Sequence, residues 1–423
     1  MTSFSPRSEV WLVALRVSAW FHCMTLLCSV VVVLLSDCYS ETPGIVCSDG
    51  IGHYEIKFRT GVTVRVGAAR TGELANRDCG AALRWEKQDL QVTGSAADVD
   101  IDVLGADIGF GVPVVTFQVR KPGVNSPVEY QIYSLQKPPQ LLRTIVAKDF
   151  LTAADTDLDG RIEIWAADAS AGDNFEGLTL AAVEFVSTVV LRFEKSRLMD
   201  VSSEFRSYFD DRIARVRALL GAPEFAEFKD SDGKLAAGSN LGLEQLLRLR
   251  STKIKVLEIV WGYLYSGREQ EAWGELASLW PALDVDRIRT AILKARAQGI
   301  RAQVDEVEST LGLPPKTPTF IYKMPSEAAE AATNLAPAFK SDTKPQPILL
   351  RRPIPQNQEP TLPQTEEMVD LVIDAAGKVR SAQPEKKQDT ELTKACANWK
   401  FIPACKNGRA VASRMRYAVS FRR

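Results

Sequence analysis

The spacing of apolar residues changes near residue 200, and this change limits the folds open to the 423-residue chain more than any other feature. In the segment 51–194, apolar residues alternate with polar ones in short stretches separated by Gly, Asn, Asp or Pro, a pattern typical of antiparallel strands. After Asp200 the apolar residues recur every three or four positions, with breaks at Gly221 and Pro281, which predicts helices. The chain is therefore predicted to be an α+β protein with several domains.

The predicted domains follow these changes in pattern. An antiparallel β domain covers residues 44–195, and an α-helical domain covers residues 200–312. Half of the chain's 22 prolines lie in residues 313–365, which predicts an extended linker in polyproline geometry. A small α+β domain at residues 366–423 ends the chain, and residues 1–40 are predicted to be a membrane anchor or a signal peptide.

The segment Val17–Ser36 contains no Asp, Glu, Lys or Arg and is long enough to cross a bilayer as a helix. Because Arg7 and Arg16 precede it and acidic residues follow it, the bulk of the chain is expected outside the cytoplasm. The helix is either retained as an inner-membrane anchor or cleaved as a signal peptide. Lipidation at Cys38, in a segment similar to a bacterial lipobox, is a third alternative. The chain is therefore expected in the periplasm on an inner-membrane anchor, or else secreted or lipidated in the cell envelope.

The positions of the cysteines are consistent with export of the chain. Cys47 and Cys79 flank one β-rich segment. Cys396 and Cys405 flank one short C-terminal turn. Two local disulfides are the natural pairing in an oxidising compartment. The alternative is four unpaired cysteines that act as small buried hydrophobes.

The composition argues against several classes of function. The chain is 45% hydrophobic and 25% charged, with a formal net charge of -1, which disfavours both global disorder and a chain built to bind nucleic acid. It contains two histidines and no pattern of a nucleotide-binding loop, a nucleophile elbow or a zinc protease. We therefore predict that the chain is not an enzyme and binds no nucleic acid; a hydrolase whose paired carboxylates meet only in the fold is the alternative.

The segment DTDLDGRIE at residues 155–163 carries the clearest chemical pattern in the chain. Carboxylates at alternate positions can converge on a hard cation, and the glycine permits a tight turn. The segment is similar to the calcium loops of FG-GAP propeller repeats, in which such a loop joins two strands. An acidic turn without a metal is the alternative. The predicted Ca²⁺ ligands are the side chains of Asp155, Asp157, Asp159 and Glu163 and the carbonyl of Arg161.

A weaker resemblance lies in the predicted helices. The spacing of Tyr263, Gly267, Trp273 and Pro281 is similar to the helix-turn-helix of a single tetratricopeptide repeat. A repeat normally needs neighbours to bury its apolar face, so an irregular helical bundle is the alternative.

The last domain has the pattern of a hairpin, a helix and a long strand. Val369, Leu371 and Ile373 mark a strand that turns back through residues 375–379, and a helix begins near residue 390. The final strand sets apolar residues on one side and arginines on the other. The most characteristic positions are Ile373-Asp374, Gly377-Lys378-Val379, Leu392, Trp399-Lys400-Phe401, Pro403-Ala404, Asn407-Gly408-Arg409, Val411 and Phe421.

These positions together resemble the C-terminal domain of TonB-family energy transducers. The segment 381–387 departs from the family pattern, with Pro384 and a run of charges where the family continues its second strand. Family members also pass almost directly from anchor to linker, whereas two predicted domains intervene in this chain.

The resemblance implies a mechanical role. Family members are anchored in the inner membrane, cross the periplasm on a proline-rich tether and dock on outer-membrane receptors, whose short peptide adds as a strand to an exposed sheet edge. Ser18 and His22 look like the pair through which the family's anchor couples to its proton-driven motor complex in the inner membrane. The implied partner-binding edge strand comprises Arg414, Met415, Arg416, Tyr417, Val419 and Phe421.

On this resemblance, the chain is expected to be a bacterial cell-envelope protein that docks on an outer-membrane receptor and supports transport. The alternative is an exported scaffold or binding protein whose β and helical modules recognise a partner. In that case the TonB-like domain serves only as a docking tag.

Overall fold

The computed structural model of the chain describes residues 45–69, 78–168, 175–177, 187–236, 241–307, 343–348, 364–385 and 390–422. The apolar segment Val17–Ser36, with Ser18 and His22, lies outside these ranges. Among the residues described, no helix combines the length and the apolarity needed to cross a bilayer.

Antiparallel strands dominate the described chain up to Asp200, as the alternating pattern predicts. Val62, Val64 and Val66 are fully buried, while Arg65 between them is exposed. The strands form three successive meanders, β2–β3–β4–β5, β6–β7–β8–β9 and β10–β11–β12–β13, with β1 beside β6. Their bounds are β1 (Cys47–Ser48), β2 (His53–Lys57), β3 (Val62–Ala68), β4 (Cys79–Trp85), β5 (Gln88–Ala96), β6 (Asp98–Leu104), β7 (Val114–Arg120), β8 (Val128–Ser134), β9 (Leu141–Ala147), β10 (Thr152–Ala154), β11 (Glu163–Ala167), β12 (Thr188–Glu194) and β13 (Arg197–Asp200).

A disulfide joins Cys47 in β1 to Cys79 in β4, as the sequence predicts. Both cysteines are fully buried in a core that the first two sheets share. The bond therefore ties the first sheet to the second at a point that water does not reach.

Helices follow the strands. They are α1 (Arg206–Ala218), α2 (Ala222–Lys229), α3 (Leu243–Tyr265), α4 (Glu269–Leu279) and α5 (Val285–Ala297), with 3-10 turns at Phe175–Gly177, Ser202–Phe205, Ala282–Asp284 and Ile300–Gln303. The long α3 packs against α1, α2 and α4. Ile164 and Leu191 of the third sheet belong to the same hydrophobic core as Val260 and Leu276 of the helices. The β and helical regions thus share a core, and residues 44–423 form one compact unit.

In the described residues the last helical turn of this region ends at Gln303, whereas the sequence pattern predicts a helical domain to residue 312. After the turn that ends at Gln303, a short strand, β14 (Glu306–Val307), pairs in parallel with β13. The Asp305 carboxylate accepts the Leu198 N–H at 2.8 Å and pairs with Arg143 at 3.1 Å. These polar contacts hold the segment against the sheet although its apolar spacing is helical.

The C-terminal region, which we call the C-terminal module, has the predicted order of elements. Its strands are β16 (Gln364–Ile373), β17 (Val379–Pro384), β18 (Phe401–Ile402), β19 (Ala404–Lys406), β20 (Arg409–Val411) and β21 (Ser413–Arg422), and its helix is α6 (Thr390–Ala397). The main sheet has the order β17–β16–β21 and is antiparallel. Leu371 and Ile373 of β16 pack with Leu392 of α6 and with Phe401. The prediction of a mixed α+β protein with several antiparallel sheets is therefore confirmed.

The predicted disulfide between Cys396 and Cys405 is wrong, because the structure contains both residues as thiols. Cys396 lies on α6 and is fully buried in the core of the C-terminal module. The Cys405 sulfur lies on β19, 3.9 Å from the Pro403 carbonyl. Cys396 and Cys405 are therefore close in the sequence but lie in two separate environments of the fold.

Part of the predicted proline-rich linker is a strand of the folded body. In the described segment 343–348, β15 (Gln346–Pro347) pairs with β18, and the Ile348 N–H donates to the Lys400 carbonyl at 2.8 Å. Ile348 is buried in the core of the first two sheets, where Ile402 also packs. This segment therefore attaches the C-terminal module to the β region.

Gly377 turns the β16–β17 hairpin and provides a stability test. Its φ is +85°, and a Cβ atom there would lie 1.8 Å from the Phe401 carbonyl oxygen, whereas Gly408, at φ +76°, has nothing within 4 Å. Gly377→Ala and Gly408→Ala share the strain of a positive φ, about 1–2 kcal/mol. We expect the free energy of unfolding to fall by at least about 2 kcal/mol more in Gly377→Ala than in Gly408→Ala, because the backbone at Phe401 must also move. Urea unfolding of the two variants measures the difference, and equal losses would contradict the close approach.

Candidate functional site

The hairpin turn between β16 and β17 is held by one buried carboxylate. Asp374 Oδ1 accepts the N–H groups of Ala376 at 2.9 Å and Lys378 at 2.8 Å. The Phe401 N–H donates to the Gly377 carbonyl at 2.8 Å, so the turn is also bound to β18. Burial raises the pKa of Asp374 to about 6, against the opposing effects of Arg380 and the bound amides. The turn is thus fixed by hydrogen bonds within the C-terminal module.

Lys378 extends from this turn into the β region. Its ammonium group donates to the carboxylate and to the carbonyl of Asp102 on β6, the latter at 3.1 Å. Asp102 is 3% exposed, and its other carboxylate oxygen accepts the Tyr130 hydroxyl at 2.9 Å and the Ala153 N–H at 2.8 Å. The buried negative charge of Asp102 is therefore balanced by the Lys378 ammonium group, and two further donors bind the same carboxylate.

A second lysine repeats the contact two residues earlier on β6. Lys400 donates to the carboxylate of Asp100 and to the Ile101 carbonyl at 3.0 Å. Burial raises the pKa of Asp100, although the Lys400 ammonium acts in the opposite direction. Asp100 and Asp102 lie on the same face of β6 because side chains alternate along a strand. Two lysines of the C-terminal module thus bind two aspartates of one strand.

The hairpin also reaches the aspartate-rich loop between β10 and β11. Asp374 Oδ2 accepts the Asp155 N–H at 3.1 Å, and Arg380 donates to the Thr156 carbonyl at 2.9 Å. The first two residues of the loop are therefore bound through their peptide groups to the C-terminal module. The sequence predicts the loop and the hairpin separately but gives no sign that they meet.

The loop has the geometry of a cation-binding turn. One carboxylate oxygen from each of Asp155, Asp157 and Asp159 lies within 4.8 Å of the others. The Asp155 carboxylate accepts the Gly160 N–H at 3.1 Å, and Gly160 has the positive φ, +86°, that the sequence predicts. Asp159 is also bound by the Arg161 guanidinium at 2.7 Å. The donor set consists of oxygen atoms, which suits a hard cation such as Ca²⁺.

Glu163, the last predicted ligand, lies directly beside this turn. It is fully buried, and its Oε2 accepts the Thr156 N–H at 2.9 Å, while Oε1 has no hydrogen-bond partner in the described part of the chain. The nearest cation is Arg192, 3.7 Å from Oε1. Burial raises the pKa of Glu163 to about 8, and burial together with Asp374 and Glu163 raises the pKa of Asp155 to about 8. All the predicted ligands are thus local to the turn, and Glu163 is held there by the Thr156 N–H and by Arg192.

The loop opens into a cavity of about 470 Å³ between the β region and the C-terminal module. Asp155, Asp159 and Arg161 line one side of it, and Arg409 to Ala412 line the other.

The final strand, β21, lies at the edge of its sheet, where the resemblance predicts it. It pairs with β16 over ten register pairs, from Gln364↔Arg422 to Ile373↔Ser413. Within the residues that the structure describes, no strand pairs with its other side. Met415 and Tyr417 pack in the core of the module, and Arg414 and Arg416 are exposed. The backbone of Val419 and Phe421 continues the strand, and their side chains lie outside the described part.

The register of β16 and β21 determines which backbone groups of β21 face away from the sheet. The Glu385 N–H donates to the Met368 carbonyl, so even-numbered residues of β16 bond to β17 and odd-numbered residues bond to β21. Because Leu371 pairs with Met415, the odd-numbered residues of β21 bond to β16. The even-numbered residues, including Arg416 and Ala418, therefore direct their N–H and C=O groups away from the sheet.

Comparison with protein-family models, with curated proteins and with solved structures finds no significant match to this chain. The resemblances of the C-terminal module, the aspartate-rich loop and the helix pair therefore stay predictions from sequence.

The residues that sequence reasoning misses are Asp100 and Asp102. They alternate with apolar residues in the strand DVDIDVL, where both would normally read as the solvent face. Their only sequence signal is that they lie, with Asp98, in a strand whose other residues are all apolar.

The buried pair Lys378–Asp102 can be tested against an exposed pair of the same chemistry. Removing one partner of a buried ion pair typically costs about 3–5 kcal/mol, whereas an exposed pair contributes under about 1 kcal/mol. Lys121 pairs with Glu129 at 2.7 Å, and its side chain is 63% exposed. We expect Lys378→Met to lower the free energy of unfolding by about 3 kcal/mol and Lys121→Met by under about 1 kcal/mol. Urea unfolding measures both, and equal losses would show that Lys378 does not hold the module.

Proposed function

We propose that the chain is a bacterial cell-envelope protein, similar to a TonB energy transducer, that binds an extended segment of an outer-membrane receptor and supports transport. The segment adds as a strand to the outer side of β21. The observation that carries the proposal is the position of β21 at a sheet edge with no strand on its other side among the described residues. A row of unpaired backbone groups is a template for an incoming strand.

The edge gives this binding a defined register. Arg414, Arg416 and Ala418 present outward N–H and C=O groups at every second position of the strand. Each backbone hydrogen bond contributes about 0.5–1.5 kcal/mol, so several in a row support a specific contact without large side-chain pockets. The exposed guanidinium group of Arg414 favours acidic side chains on the neighbouring face of the added strand, whereas Arg416 already pairs with Glu385 at 3.0 Å.

The disulfide of the β region supports a location in the cell envelope. A buried disulfide such as Cys47–Cys79 suits an oxidising compartment. We propose that the chain is anchored in the inner membrane by residues 1–40 with its bulk in the periplasm, where Ser18 and His22 would contact a proton-driven motor complex. The proposal assigns the chain no catalytic activity and no nucleic acid partner.

A second candidate function is favoured by the contacts of the C-terminal module with β6. The Lys378–Asp102 and Lys400–Asp100 pairs fasten the module to the β region, so the edge strand and the body form one unit. This favours an exported scaffold whose β and helical regions recognise a partner, with β21 as a docking tag. Deleting residues 366–423 separates the candidates, because a scaffold keeps its partner after the deletion and a strand-adding receptor adaptor does not.

Photocrosslinking in intact cells tests the proposed strand addition. A photoreactive residue at Arg414, on the outer edge, should capture an outer-membrane protein, because the added strand lies beside it. The same residue at Gln383, which is exposed on β17 at the opposite edge, is the control and should capture none. Adducts of equal yield from both positions, or an adduct with a cytoplasmic protein, would contradict the proposal.

A proline at Ala418 tests the role of the backbone itself. Ala418→Pro removes one outward N–H and no bond to β16, so the fold should keep its stability within about 0.5 kcal/mol. Ala418→Thr keeps the N–H and serves as the matched control. We expect the Arg414 adduct to be lost in the proline variant and kept in the threonine variant. Retention of the adduct in both would mean that the partner binds side chains and not the strand edge.

A further inference from the structure

The Lys400–Asp100 pair differs from its neighbour in how the carboxylate is bound. Asp100 is 4% exposed, and its Oδ2 accepts a hydrogen bond from the Lys400 ammonium group. Its Oδ1 has no hydrogen-bond partner among the described residues. Asp102 on the same strand has Lys378 and two further donors. A carboxylate that stays ionised when buried is normally paired and fully hydrogen-bonded, so Asp100 is poorly suited to permanent ionisation.

The surroundings of Asp100 favour the neutral form of its carboxyl group. Burial raises the pKa of Asp100, whereas contact with Lys400 lowers it. The nearby charges of Asp102 and Lys378 act in opposite directions on the same carboxyl group. A proton that passes from the Lys400 ammonium group to Asp100 leaves an amine beside a carboxylic acid. The pair can therefore exchange two buried charges for two neutral groups in contact.

The fold holds both side chains in a reactive arrangement. Asp100 lies on β6, an inner strand of its sheet. The backbone of Lys400 forms a bridge with Lys378 and accepts the Ile348 N–H at 2.8 Å. Lys400 Nζ also donates to the Ile101 carbonyl at 3.0 Å, which keeps it beside the carboxyl group. A nitrogen in contact with one carboxyl oxygen lies near the carbonyl carbon, at about the 3–3.5 Å that reacting atoms require.

We propose that Lys400 and Asp100 condense to an isopeptide bond, which joins the C-terminal module covalently to β6. The amine nitrogen of Lys400 attacks Cγ of the protonated carboxyl group and forms a C–N bond. The C–O bond to the hydroxyl breaks, and the hydroxyl takes one proton from the nitrogen and leaves as water. Nothing is oxidised or reduced, so the step needs no co-reactant. The two side chains are only 5% and 15% exposed, which protects the amide from hydrolysis.

The neighbouring ion pair provides a contrast within the same chain. Lys378 contacts Asp102, but this carboxylate also accepts the Tyr130 hydroxyl at 2.9 Å and the Ala153 N–H at 2.8 Å. These donors stabilise the ionised form, and an ionised carboxylate is a poor electrophile. Lys378 therefore keeps its ammonium group, and one linkage is expected per chain. The linkage does not depend on what binds β21.

Peptide mapping of the purified full chain tests the linkage. After reduction of the disulfide and digestion with trypsin, residues 88–120 should be joined to residues 395–406, because trypsin does not cleave after an acylated Lys400. The joined pair should be lighter than the two separate peptides by one water molecule. A wild-type chain that yields mainly the free peptide 88–120 overturns the proposal, and so does a linkage through Lys378.

Lys400→Arg is the matched variant, because it keeps a cation beside Asp100 but offers no amine that can be acylated. It should yield the free peptide 88–120, whereas Lys378→Arg should keep the joined pair. Loss of water confined to an Asp-Gly sequence, such as Asp159-Gly160, is a succinimide that joins no peptides and counts against the bond.

Gel migration gives a second measurement that does not depend on peptide recovery. In a denaturing gel with reductant, the wild type should migrate faster than Lys400→Arg, because the linkage joins residues 300 positions apart and makes the unfolded chain more compact. Lys378→Arg should migrate as the wild type does. Equal migration of the wild type and Lys400→Arg would contradict the bond.

Discussion

The position of the C-terminal module depends on two ammonium groups that meet two buried aspartates on β6. Burying an ion costs several kcal/mol even after relaxation, and the pair recovers this cost only with good geometry and further hydrogen bonds. Asp102 has these, because a tyrosine hydroxyl and a backbone N–H bind it besides Lys378. Asp100 does not, because its Oδ1 has no hydrogen-bond partner among the described residues. A surface that lacked a cation at either position would leave a carboxylate buried and unmatched.

The local elements of this fold are readable from the sequence. Alternation in segments such as VTVRV predicts buried valines at every second position, and β3 has them. The glycine of the DTDLDG turn, the hairpin at Gly377 and the separation of Met415 and Tyr417 from Arg414 and Arg416 were likewise predictable. Each of these depends on residues within a few positions of one another, where period and turn chemistry act directly.

The contacts that assemble these elements are not readable in the same way. Lys378 and Lys400 bind partners 276 and 300 residues away, and no local pattern marks which acid each lysine will meet. The same limitation explains the wrong Cys396–Cys405 disulfide, since short spacing suggested a pair where the fold buries one cysteine against a sheet and places the other on a ribbon. The strand after Gln303 could not be predicted from its helical spacing for the same reason. Asp305 holds it in place, and the partners of Asp305, Arg143 and Leu198, come from strands distant in the sequence.

The arrangement of the module has a mechanical consequence for the proposed function. The body holds the module through the β16–β17 turn, through Lys400 and through the pairing of β15 with β18, whereas a partner strand would bind on β21, across the sheet from β17. A load on the partner therefore passes from β21 through ten register pairs into β16 before it reaches these contacts. The edge that would receive the partner is therefore separate from the contacts that hold the module, so an added strand leaves those contacts in place.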